Sequence, residues 1–125
     1  MAKATGLGGV FLRARDPKKL TAWYGEHLGL TVTDWGGVLF VWDECPAPEG
    51  HGATVWSLFP SGTDYFGDSG QQTMLNFRVD DLDALLTDLA AKGVWIDPKR
   101  QDEENGRFAW IKDGEGNRVE LWEAR

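Results

Sequence analysis

Cysteine is almost missing from this chain: Cys45 is the single one in 125 residues. An internal disulfide is excluded, and so is any metal site built on paired thiolates. Cys45 stands beside Pro46, Ala47 and Pro48 in a loop-like stretch with no local histidine to activate a thiol, so a structural or incidental role is expected. Positive charge is in deficit, 13 Lys and Arg against 20 Asp and Glu, for a net charge of −7. Nucleic acid and anionic membrane surfaces, which need a basic face, are therefore not expected as partners. No apolar run approaches membrane-spanning length, and no basic segment precedes an apolar one at the start, so a soluble, cytoplasmic protein is expected. A G-x-S-x-G elbow and a P-loop are absent, and Gly6-Leu7-Gly8-Gly9 leads into a strand instead of joining strand to helix, so it is no dinucleotide fingerprint.

What is present is enough for one domain over residues 1–125, large enough to bury a core unaided. Tryptophan is abundant, at seven residues, more than a small core needs, so some are expected to wall a pocket or an interface. Gly9-Val10-Phe11-Leu12-Arg13-Ala14-Arg15 alternates as a strand, with Gly9, Phe11 and Arg13 on one face. Asp16-Pro17 then signals a helix start, Leu20, Trp23, Tyr24 and Leu28 give an apolar stripe, and Gly29 gives a stop. Leu30–Thr33, Val38–Trp42 and Ala53–Phe59 read as three β segments separated by turns. Residues 60–70 are linker-like, but Tyr65 and Phe66 within them are expected to pin the segment to the body.

The second half repeats the plan. Met74 to Asp80 alternates, Asp81 caps a helix bearing Leu82, Leu85, Leu86 and Leu89, and Gly93 ends it. Val94–Ile96, Arg107–Ile111 and Arg118–Trp122 follow as β segments. A shift of 65 residues sets Arg13 on Arg78, Asp16 on Asp81 and Leu20 on Leu85, and the matching order of elements implies an internal repeat. The fold class is α+β, with two tandem βαβββ modules over about residues 7–60 and 72–125. At the chain's end a Gly/Asn turn runs into alternating Val119, Glu120, Leu121 and Trp122, so Glu120 and Trp122 share a face. A carboxylate there is either a ligand, a partner of a buried cation, or a solvent-facing edge residue.

Two such modules, with D-P-x-x-L-x-x-W-Y-x-x-x-L-G from Asp16 to Gly29 and D-x-x-G-N-x-x-E-L from Asp113 to Leu121, resemble the vicinal oxygen chelate superfamily. That superfamily includes glyoxalase I, extradiol dioxygenases, fosfomycin-resistance enzymes and bleomycin-binding proteins. The resemblance implies a half-open, barrel-like cup built by the two modules, often completed by a second copy in a homodimer. It also implies four positions from which metal-dependent members hold one divalent ion. Here those positions carry Gly9, Ser57, Met74 and Glu120. Glycine has no donor, a thioether suits hard cations poorly, and a hydroxyl is weak, so no metal and no other cofactor is expected. His27, at a helix end, and His51, in a loop, are not on the cup-lining strands.

Alternation lines the cup with Phe11, Arg13, Ser57, Met74, Asn76, Arg78, Glu120 and Trp122. Arg13 and Arg78 either grip an anion, which a planar guanidinium matches, or pair with Glu120. The resemblance adds that the Arg13 position is one where glyoxalase I members hold a substrate carboxylate. The expected function is metal-independent binding of a small anionic or aromatic molecule. The alternatives are a lyase, isomerase or dioxygenase with Glu120 as base or remaining ligand, and an interaction module docking through Tyr65 and Phe66.

Overall fold

The structure is a computed structural model and describes residues 2–42 and 52–125, so Cys45 and His51 lie outside the described residues. The order is β1 (Ala4–Ala14), α1 (Pro17–Leu28), β2 (Val38–Val41), β3 (Ala53–Pro60), β4 (Thr73–Val79), α2 (Leu82–Ala91), β5 (Gln101–Glu103), β6 (Gly106–Lys112) and β7 (Arg118–Ala124). The seven strands among the described residues form one sheet in the order β2-β3-β1-β4-β7-β6-β5. β1 runs parallel to β3, β4 runs parallel to β7, and the two halves meet where β1 and β4 pair antiparallel. The sheet stays open, a half-open cup that does not close into a barrel.

The helices begin as the sequence dictates. Asp16 accepts from the Lys19 N–H at 3.2 Å, Pro17 fills the first turn, and Gly29, at φ 71°, closes α1 by donating to the Gly25 carbonyl. Asp81 does the same for α2, accepting from Ala84 N–H at 3.1 Å. α2 buries Leu82 and Leu86 against Val79, Ala109 and Leu121, the core on the helix side of the sheet. α1 is turned differently. Only Thr21 of α1 is buried, Tyr24 meets Trp56 edge-on at 4.8 Å, and Trp23 is 48% exposed, stacked on His27. The stripe expected to be core therefore faces outward at Leu20, Trp23 and Leu28.

Two β segments expected from composition are not strands. Leu30–Thr33 is irregular, because Thr33 closes a turn on Gly37, its N–H and its hydroxyl both donating to the Gly37 carbonyl at 2.8 Å. Val94–Ile96 contributes a single bridge, Ile96 to Ile111, and the short β5 takes the sheet edge instead. In the middle of the sheet β1 runs longer than expected, starting at Ala4, with register shifts at Ala4/Gly6 and Leu7/Gly9. The cup side of the sheet has its own core of Phe11, Phe66, Met74 and Trp110, with Val55, Phe59, Tyr65 and Phe108 packed against it. Two of these side chains come from no strand: the 61–72 segment lays Tyr65 and Phe66 into the cup.

Candidate functional site

Register fixes which side chains meet. Asn76 pairs with both Gly9 and Glu120, and Glu120 in turn with Trp110, so one row crosses β1, β4, β7 and β6. Phe11 pairs with Ser57 and Met74, and Arg78 with Trp122, in the rows on either side. Paired residues share a face and neighbouring strands lie about 4.8 Å apart, so these rows bring the predicted lining onto one surface.

Glu120 is the centre of that surface and is only 2% exposed. The Tyr65 hydroxyl donates to its Oε2 at very short range, Trp110 Nε1–H donates to the same oxygen at 2.9 Å, and Asn76 Nδ2–H donates to Oε1 at 2.6 Å. Burial pushes the Glu120 carboxyl above its ordinary range, against the pull of these three donors and of the Arg118 charge. The Tyr65 hydroxyl is raised as well, first by burial and then by the charge of Glu120. Asn76 is itself 1% exposed, and its Oδ1 has no partner among the described residues. Gly8 makes room for it: a Cβ there would stand 2.2 Å from that oxygen.

The two arginines related by the repeat have different surroundings. Arg13 donates through Nε to the Gln71 carbonyl at 2.8 Å and through Nη1 to Ser61 and Thr63 carbonyls at 2.8 and 2.7 Å, with its guanidinium 4.9 Å from the Phe66 ring. It clamps the 61–72 segment. Arg78 lies between two indoles, 4.8 Å from Trp122 and 5.7 Å from Trp42, and has no carboxylate at ion-pair distance among the described residues. Burial lowers its pKa, the sign of a cation short of solvent. Neither arginine bridges to Glu120. Trp122 stacks on Phe108 at 5.8 Å and 12°, extending the aromatic wall beside Arg78.

Ser57 shares the parity of Val55 and Phe59 on β3 and also borders a groove of about 490 Å³ between α1 and Trp35. Three participants lie outside the predicted lining: Tyr65, expected only to pin its segment to the body, Trp110, one of the tryptophans of the cup strands, and Arg118. Arg118, with a side chain 14% exposed, lies 5.3 Å from the Trp110 ring and pairs with Asp97 at 3.0 Å. Its signal was available, because 118, 120 and 122 alternate onto one face. Tyr65 has no periodic signal in its irregular segment.

The four positions that a divalent ion would use do not fit one. Gly9 offers nothing, Met74 is fully buried in the apolar cluster, Ser57 offers a hydroxyl, and both Glu120 oxygens already accept from protein donors. Among the described residues no group of three or more His, Cys, Asp or Glu is placed to hold a metal.

Residues 6–121 match the family model of the Glyoxalase/Bleomycin resistance protein/Dioxygenase superfamily. Among curated proteins none matches. Among solved structures, methylmalonyl-CoA epimerase from Mycobacterium tuberculosis superposes with a TM-score of 0.66 at 23% identity, covering 98% of this chain and 89% of that one. A variant of the Streptomyces coelicolor methylmalonyl-CoA epimerase in complex with 2-nitronate-propionyl-CoA gives a TM-score of 0.73 at 15% identity, covering 98% and 99%. At these identities the likeness is one of fold.

Proposed function

For this chain, which belongs to the Glyoxalase/Bleomycin resistance protein/Dioxygenase superfamily, we propose metal-independent binding of a small, planar, anionic molecule in the open part of the cup. The observation that carries this function is Arg78, a partly desolvated cation between the indoles of Trp42 and Trp122 with no carboxylate partner among the described residues. A guanidinium in that setting matches a carboxylate or phosphate, and the indoles offer faces to a flat body. Arg13 is spent on carbonyls, so one anion-binding group is proposed where the sequence offers two.

The alternative is a lyase, isomerase or dioxygenase using Glu120 as base or as a metal ligand. The epimerase likeness leaves it open as a class, but a base must reach its substrate's proton, and Glu120 is already held by three donors. A second copy of the chain is the proposed partner, covering exposed apolar residues that include Leu20, Trp23 and Leu28 of α1 and Leu39 and Phe40 of β2. The proposed location is the cytoplasm; among the described residues no helix is long and apolar enough to cross a membrane.

The test is a titration of tryptophan fluorescence and melting temperature with benzoate, salicylate, an aryl phosphate and a CoA thioester, in wild type and in Arg78→Met. Saturable binding by wild type, lost in the variant, with the ligand recovered unchanged, is expected. A wild type indifferent to the whole panel, or a variant that binds equally well, would sink the proposal; turnover of the thioester would favour the enzyme.

A further inference from the structure

Tyr65 sits in the cup as a ligand would. Its ring stacks on Phe59 at 5.3 Å and 7°, meets Trp110 edge-on at 6.0 Å and 85°, and its hydroxyl donates to Glu120. The next residue, Phe66, is wholly buried against Phe11, Met74 and Trp110. Both belong to a segment with no regular structure, held by Arg13 through the carbonyls of Ser61, Thr63 and Gln71 and turning at Gly67 and Gly70 with φ 79° and 74°.

The chain thus supplies its own occupant for a defined space: a flat slot between aromatic walls, with one buried acceptor at the end of the ring axis. Asn76 and Trp110 engage the carboxylate from its other sides, which leaves one direction of approach, along the ring. Such a slot suits a phenol. The ring gains aromatic contacts, the hydroxyl gains a buried acceptor, and an aromatic ring lacking the hydroxyl leaves that acceptor short of a donor.

We propose that the Glu120 end of the cup is a phenol-recognition pocket which the chain fills with its own Tyr65, so that an added phenol and the 61–72 segment compete for one carboxylate. The pocket is separate from the Arg78 anion site and does not depend on it. The exchange makes and breaks no covalent bond; one hydroxyl donor replaces another. Because Tyr65 is tethered, it competes at an effective concentration in the millimolar range, about what a short flexible link provides. Wild type is then closed to weak phenols and Tyr65→Ala is open to them.

The test uses p-cresol, the side chain of tyrosine as a free molecule, with toluene as the ring lacking the hydroxyl. In Tyr65→Ala, p-cresol is expected to raise the melting temperature saturably and to bind at least about tenfold more tightly than toluene, the factor a hydrogen bond to a carboxylate supplies. Wild type is expected to bind p-cresol at least about tenfold more weakly than Tyr65→Ala, through competition with the tethered ring. Equal binding of toluene and p-cresol, equal binding by wild type and variant, or no binding to the variant would overturn the proposal. Should Tyr65→Ala fail to fold, hydrogen exchange in the wild type decides. Faster exchange of the 61–72 amides that saturates with p-cresol supports competition, and unchanged exchange up to the solubility limit of p-cresol overturns it.

Discussion

Tyr65→Phe removes one oxygen from a part-buried contact with the buried Glu120 and leaves the ring in place. Stacking on Phe59 and the edge contact with Trp110 persist, so the loss is the hydroxyl alone. Glu120 Oε2 keeps only the Trp110 N–H. A hydrogen bond to a charged group is worth about 1.5–3 kcal/mol, against about 0.5–1.5 kcal/mol between neutral groups. For a chain of this length each kcal/mol moves the melting temperature by roughly 3–5 °C, so a fall of about 5–15 °C is expected near neutral pH. The pH dependence has a definite sign. Glu120 has a folded pKa above its unfolded value, so its burial destabilises the fold increasingly as pH rises from the ordinary carboxylate pKa, about 4.3, through the raised folded value. The Tyr65 bond pulls that folded value down, and removing it extends the destabilising window to higher pH. The gap between wild type and Tyr65→Phe is therefore smallest near pH 4 and widens above it. Chemical denaturation of both proteins between pH 4 and 8 measures it; a gap independent of pH, or a fall of less than about 2 °C at neutral pH, would refute a hydrogen bond to a buried, ionised carboxylate.

Arg13→Met keeps the apolar stem but frees three carbonyls of the 61–72 segment, and about 2 kcal/mol of lost stability with faster proteolytic cutting inside that segment is expected. Gly8→Ala sets a methyl 2.2 Å from Asn76 Oδ1, which must move; a loss of about 1–3 kcal/mol and a changed environment for Trp122, read by near-ultraviolet circular dichroism, are expected. Asp81→Ala removes the N-cap of α2 and is expected to cost about 1 kcal/mol in urea unfolding, with Asp81→Asn recovering most of it. Light scattering on the eluting protein is expected to give twice the chain mass, and Trp23→Lys, placing a charge in the exposed apolar face of α1, to return it to the monomer.

Local chemistry declared itself in the sequence, and long-range partners did not. Asp16 and Asp81 cap helices because a short acidic side chain before a helix has few better uses, and that needs no knowledge of the rest of the fold. The alternation of Val119 to Trp122 likewise placed Glu120 in the cup, since a pleat offers only two faces. Leu30–Thr33 and Val94–Ile96 have strand-like composition, but a strand also needs a partner: Thr33 bonds within the turn to Gly36 and Gly37, and Val94 donates back to Leu89 of α2, leaving Trp95 and Ile96 a single bridge to β6. Arg13 and Arg78 are equivalent in the repeat and unlike in space, because the 61–72 segment packs on the side of Arg13. Nothing periodic marks Tyr65, so its meeting with a carboxylate 55 residues away could not be read from spacing.

The central position of β1 shapes how the chain must fold. It precedes both of its partners in the chain, β3 and β4, with Val10 paired to Trp56 and Leu75. No hairpin can protect it meanwhile, so during synthesis it waits with both edges open, a strand rich in glycine and short of charge at the stage when unpaired edges invite association with other chains. Closing loops of that length before any reward from pairing favours slow folding, roughly milliseconds to seconds, over the microseconds open to local topologies. The strand that joins the two halves in the finished protein is thus the one most exposed before it is finished.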